Sequence, residues 1–251
     1  MRNERYPLIG ARIKLERASK HIEVFSDLFR EFVKSDAYTI RVRKDADGRE
    51  HREHILGREV FWGGPVWSNL CCTAGDAVHN MRSALDHVAY AVARSKRVPS
   101  RDLKKIAFTI ACSRNTFIGA IKRQKLSAVG IDWIEFLRNR QPYYRRNGKT
   151  LLRLSELDNM DKHRELLSLA PIASVAVQIG NQPAQHVIAS LKKGVMIPPA
   201  DKDGSFSIVH PYITLANTVP YEKRLEATSE LLDFRTAVSH IVTDAQKKFF
   251  A

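Results

Sequence analysis

The 251-residue sequence holds no run of about 18 consecutive apolar residues, so a membrane-spanning helix is not expected. An apolar signal core is missing as well. Met1-Arg-Asn-Glu-Arg-Tyr-Pro7 leads straight into an amphipathic pattern, so no secretory leader is expected. Cysteine is scarce. Its three copies, Cys71, Cys72 and Cys112, cannot all pair, and two are neighbours, which excludes a disulfide scaffold and points to a reducing cytoplasm. Internal repeats and low-complexity tracts are absent. So are a Walker loop, Gly-x-Gly-x-x-Gly after a strand, Gly-x-Ser-x-Gly, His-Glu-x-x-His and Cys-x-x-Cys. Acidic residues are outnumbered, 27 Asp and Glu against 41 Lys and Arg, for a formal charge of +14. A hydrophobic content of 44% excludes a disordered basic tail and allows a real core. The excess positive charge calls for a polyanionic partner, nucleic acid first.

That charge is unevenly placed. Between Arg94 and Lys149 lie 15 basic residues against only Asp102, Asp132 and Glu135, a net +12. Lys122, Arg123 and Lys125 form one knot. Arg138, Arg140, Tyr143, Tyr144, Arg145 and Arg146 form another, in which tyrosines sit between guanidinium groups. Cations for phosphates beside rings for bases suit a nucleic-acid strand. The structural alternative is a solvated basic face.

Apolar spacing predicts the elements. Leu8, Leu15, Ile22 and Phe29, with Ala11, Ala18, Phe25 and Phe32, mark a long amphipathic helix from about Pro7 to Lys34. Alternation on either side of Asp47-Gly48 predicts a β-hairpin over about 38–56. A second long helix opens at Gly63-Gly64-Pro65 and runs through Leu70, Met81, Leu85 and Val92 towards Pro99. Lys105–Ala111 reads as a short strand, 115–139 as two helices, and about 150–167 as another. From 171 to 219 alternating segments predict a small antiparallel sheet, and Leu225 to Phe249 a final helix. The expected fold is α+β in one domain, 1–251. Its helical parts are about 7–36, 65–168 and 222–250, joined by the hairpin and the small sheet.

Gly75-Asp-Ala-Val-His-Asn-Met-Arg-Ser-Ala-Leu-Asp-His87 is the least ordinary stretch. At about 100° per residue, His79, Asn80, Arg82, Ser83, Asp86 and His87 fall in one arc of about 160°, opposite Met81, Leu85 and Val88. Imidazole, guanidinium, amide and carboxylate on one stripe provide acid–base and anion-stabilising groups together. Gly75 forgoes about 1 kcal/mol of helix propensity, which asks for a close approach at that point. The structural alternative is a buried hydrogen-bond network that joins helices. A second cluster, Asn159, Asp161, His163 and Arg164, lies in Leu157-Asp-Asn-Met-Asp-Lys-His-Arg164, and would face the first if the two helices are neighbours.

Arg82-x4-His87 resembles the HEPN superfamily, whose ribonucleases carry Arg-x4–6-His on a helix of a bundle. The resemblance implies metal-independent RNA cleavage in a homodimer. His87 would be the general acid/base and Arg82 the phosphorane stabiliser, with His79, Asn80 and Asp86 orienting them. Arg235 and His240 on the last helix have the same spacing, as have Arg49 and His54 in the hairpin. With 24 Arg and nine His in the chain, roughly one such match arises by chance. The blocks Gly75-Asp-x-x-His-Asn-x-Arg-Ser-Ala-Leu-Asp-His87 and Asn159-x-Asp-Lys-His-Arg164 are also similar to an uncharacterised bacterial family.

Three functions follow as expectations. The first is an endoribonuclease, or toxin or defence effector, acting on RNA without a cofactor. The second is a non-catalytic nucleic-acid-binding or scaffold protein. The third is a metal-dependent hydrolase built on His79, Asp86, His87, Asp161 and His163, for which no standard ligand spacing is present, so no metal is expected.

Overall fold

In a computed structural model of the chain the structure describes residues 6–34, 38–44, 46, 50–56, 64–144, 148–163, 169–178, 185–190, 195–197, 206–215 and 226–251. Its helices are α1 (Ile9–Lys34), α2 (Pro65–Ser95), α3 (Ser100–Leu103), α4 (Arg114–Arg123), α5 (Ile131–Arg138), α6 (Gly148–His163) and α7 (Ala227–Phe249). A single 3-10 turn, Leu126–Ala128, separates α4 from α5. By proximity along the fold the chain forms two compact units. The first gathers Met1–Glu23, Ala74–Leu166 and Leu231–Ala251, and the second Val24–Thr73 and Leu167–Glu230.

The expectation of an α+β fold is corrected here: among the described residues seven helices make up the framework, no sheet takes part in it, and the fold class is helical. The first unit shows why. On α2, Ala77, Val78, Met81, Ala84, Leu85, Val88 and Ala89 are all buried, a stripe wide enough to need helices on more than one side. The alanines in it allow those helices to come close. Leu8, just before α1, and Ala11, Ala18 and Ile22 of α1 join the buried set, α6 contributes Leu151, Leu154 and Leu157, and α7 contributes Leu231, Phe234, Val238 and Ile241. Helices thus satisfy one another, and no sheet is required to cover them.

Lys105–Ala111, expected as a strand, forms none: Lys105 lies in a turn, and the irregular chain after it is held by side chains. A short helix that the periodicity does not announce, α3, starts directly after Pro99. At the far end of this unit Trp133, fully buried, stacks on Phe136 with ring centroids 5.3 Å apart. It also meets Phe108 and Phe249 edge-on at 6.0 and 5.7 Å. This aromatic knot ties the segment around Phe108 and α5 to the end of α7.

In the second unit the described backbone includes paired extended segments. Tyr38–Lys44 runs antiparallel to Glu50–Leu56, which also pairs with Val195–Ile197 through His54 opposite Val195. Leu169–Gln178 lies between Gln185–Ser190 and Phe206–Leu215. The hairpin therefore does not stand apart from the later segments as the sequence reading has it. Phe32 and Trp67 meet in the same unit, ring centroids 5.7 Å apart. No helix among the described residues is long and apolar enough to cross a membrane.

Candidate functional site

The polar stripe of α2 is shared out among three neighbours. Around Phe108, Arg82 donates from Nη1 to Asp86 Oδ1 at 2.8 Å and from Nη2 to the Phe108 carbonyl at 3.1 Å. The same Asp86 oxygen accepts the Phe108 N–H at 2.9 Å. Arg82 and Asp86 thus replace the two bonds a strand partner would make to Phe108, and Arg82 is only 14% exposed. Farther along, the buried Gln141 amide does the same: Nε2 donates to the Thr109 carbonyl at 2.9 Å and Oε1 accepts the Ala111 N–H at 2.8 Å. Backbone groups taken out of water must find partners, and here side chains supply them.

Towards α1, Asn80 is buried. Its amide donates to the Asp76 carbonyl at 2.8 Å, and its Oδ1 accepts from Lys14 Nζ at 3.3 Å. His87 is exposed, with its ring over Gly10: a Cβ placed there would lie 2.7 Å from Nδ1. One turn before Asn80, Asp76 Oδ2 stands 4.0 Å from His21 Nδ1. Burial lowers the His21 pKa below 6.5, the Asp76 carboxylate partly restores it, and Arg17 lowers it again. A histidine whose folded pKa is depressed binds its proton more readily in the unfolded chain. Its stabilising contribution is therefore full above about pH 6.5 and declines as the pH falls through that value. Urea unfolding at pH 7.5 and 5.5 should show a loss at the lower pH that is smaller in His21→Gln; an equal loss in both proteins would rule His21 out as its source.

Towards α6, the two sequence clusters do meet. His79 Nδ1 is 3.0 Å from Asp158 Oδ1; the imidazole is 42% exposed while the carboxylate is 2% exposed. A Cβ on Gly75 would fall 2.5 Å from Asp161 Oδ1, so the missing methyl makes room for that carboxylate. Gly75→Ala should then forfeit the usual helix-propensity gain of about 1 kcal/mol, and recover it when Asp161→Ala is added. Additive effects in that double-mutant cycle, read by thermal unfolding, would remove the steric account. A buried carboxylate behind a half-exposed imidazole fixes the ring's orientation and leaves Nε2 free of that contact, an arrangement capable of proton transfer there.

Arg82 and His87 are not brought together: they stand about 140° apart on α2, one on Phe108 and the other over Gly10. Of the second cluster, Asn159 is exposed, Asp161 covers Gly75, His163 ends α6, and Arg164 lies outside the described residues. Arg235 of the rival pair donates from Nε to Ser19 Oγ at 2.6 Å, and His240 is exposed on α7. Arg49 lies outside the described residues, and His54 is in the hairpin. Among the described residues no group of three or more His, Cys, Asp or Glu could hold a metal ion.

The basic segment divides into tied and untied cations. Arg140 is held by Asp244 at 2.7 Å, by the Phe136 carbonyl at 2.8 Å, and lies 3.5 Å from the Phe136 ring centroid. Lys122, Arg123, Lys125 and Arg138 are exposed, Arg138 with Glu135 at 3.8 Å. Tyr143 turns inward. Its hydroxyl is buried without a partner among the described residues, and burial raises its pKa above 10 while Arg114 and Arg138 pull it back. Tyr144 faces out, and Arg145 and Arg146 lie outside the described residues.

Sequence reasoning missed Asp158, Gln141 and Lys14 as partners. For Asp158 a signal existed: Leu151, Leu154 and Asp158 share the three-to-four spacing of a buried stripe. No family model, curated protein or solved structure matches the chain.

Proposed function

We propose that this chain is a nucleic-acid-binding protein, RNA favoured over DNA, that holds its partner on the basic surface of residues 94–149. One observation carries the reading. Lys104, Lys105, Arg114, Lys122, Arg123 and Lys125 are all exposed, and none forms an ion pair with a described carboxylate. Cations left unpaired along consecutive elements are what a phosphate backbone needs. Arg82 and Asn80, by contrast, are occupied within the bundle. The three cysteines are free, which supports a reducing compartment such as the cytoplasm.

The test is salt-dependent binding of a fluorescent single-stranded RNA. If Lys122, Arg123 and Lys125 each meet one phosphate, the Lys122→Glu/Arg123→Glu/Lys125→Glu variant should flatten the slope of log affinity against log salt by about 2. An unchanged slope removes the reading.

A second reading, metal-independent RNA cleavage by a toxin or defence effector, is favoured by the His79–Asp158 pair. In it His79, not His87, takes the proton of the attacking 2′-hydroxyl. Cleavage would then survive EDTA and His87→Ala, and disappear in His79→Ala. Cleavage that persists in His79→Ala rules this reading out.

A further inference from the structure

The turn that follows α5 brings together groups the binding reading does not yet use. Tyr144 is 53% exposed, and the Arg138 guanidinium lies 5.9 Å from its ring centroid. Exposed aromatic rings lose water readily to a flat partner, and a cation near the ring also attracts phosphate.

The turn is held firmly from below. Gln141, 1% exposed, is fixed by Ala111, Thr109 and Leu137, and its carbonyl accepts the Tyr144 N–H at 3.0 Å. Tyr143 is wedged against Phe117 of α4, ring centroids 6.4 Å apart. A Cβ on Gly148 would overlap the Gln141 carbonyl carbon and the Pro142 nitrogen, so the start of α6 closes on the same turn. Arg114, exposed at the start of α4, lies one helical turn before Phe117, the ring that Tyr143 packs on, which puts a second guanidinium on the side of α4 that meets the turn.

We propose that Tyr144, with Arg138 beside its ring, is a stacking platform for an unpaired base, and that Arg114 takes an adjacent phosphate. The partner of the basic surface is accordingly a single strand, or a single-stranded loop, and not an uninterrupted duplex. In a duplex the bases are stacked on one another and offer no face to a ring; an unpaired base does. A platform fixed before binding loses little freedom when the base arrives, which is what the buried Gln141 and Tyr143 provide.

This proposal rests on the nucleic-acid-binding reading, and its test separates the two. The intact chain is titrated with three fluorescent probes of about 20 nucleotides: a single-stranded RNA, the same sequence as duplex, and an abasic strand that keeps only the phosphates. Tyr144→Ala should weaken single-strand binding about 10-fold and leave the abasic and duplex probes unchanged. Tyr144→Phe should retain wild-type binding, because the ring and not the hydroxyl makes the platform. Equal weakening on all three probes, or none on the single strand, overturns the platform while the binding reading stands. Failure of the wild-type chain to bind any of the probes overturns both.

Discussion

Replacing Arg82 with Ala should lower the stability of the protein by about 3 kcal/mol, and its melting temperature by roughly 6–12 °C. The side chain is 14% exposed, and its loss strips partners from Asp86 and from the Phe108 carbonyl together. A buried carbonyl left without a donor, beside a carboxylate that keeps only the Phe108 N–H, costs more than the bonds themselves were worth. Arg82→Lys should recover little, since one ammonium group cannot reach both acceptors as the planar fork does. Asp86→Ala removes the other half of the clasp, so the double variant should fall short of the sum of the two by about 1 kcal/mol or more. Urea unfolding of the three variants checks this. A loss in Arg82→Ala within about 0.5 kcal/mol, as at an ordinary surface site, would free Arg82 for a role at a phosphate.

Trp133→Ala should cost still more, about 3–5 kcal/mol. Its indole fills the space between Phe108, Phe136 and Phe249, three rings from three separate stretches of chain. A hole there loosens the segment around Phe108 and the end of α7 at once. Trp133→Phe is the informative control. The indole Nε1 is buried without a hydrogen-bond partner among the described residues, so removing the N–H relieves a penalty while the ring is largely kept. The Phe variant should lose less than half of what Ala loses. Equal losses would mean that the indole N–H is satisfied in solution and that its hydrogen bond holds the knot.

What the sequence made legible was periodicity, because a helix that buries one stripe must repeat it. α1, α2 and α7 follow their apolar spacing closely, and the described cations of the +12 segment other than Arg140 are exposed, as its composition implies. The α+β class was misjudged because alternation over 38–56 and 171–219 says how a segment is built, not that it belongs to the framework. The segment 106–111 misled for a related reason. Ile106, Phe108 and Thr109 are buried, but the partners of that backbone are the side chains of Arg82, Asp86 and Gln141, which no local pattern predicts. The polar arc on α2 was legible as an arc. Its division among α1, α6 and Phe108 was not, since helix angle fixes direction but not the neighbour that waits there. Gly75 did signal a close approach, and Asp161 is what approaches.

The claim on which the rest depends is that Arg82 is structural while the cations of α4 and the turn after it face the partner. Binding of a single-stranded RNA at 15 °C (roughly the temperature of greatest stability), with folding checked by circular dichroism, tests it in one comparison. Arg82→Ala should bind within about threefold of wild type, and Lys122→Glu/Arg123→Glu/Lys125→Glu should lose about 100-fold at low salt with its melting temperature intact. A folded Arg82→Ala protein that no longer binds, beside a triple variant that still does, would contradict the account and return the site to the stripe on α2.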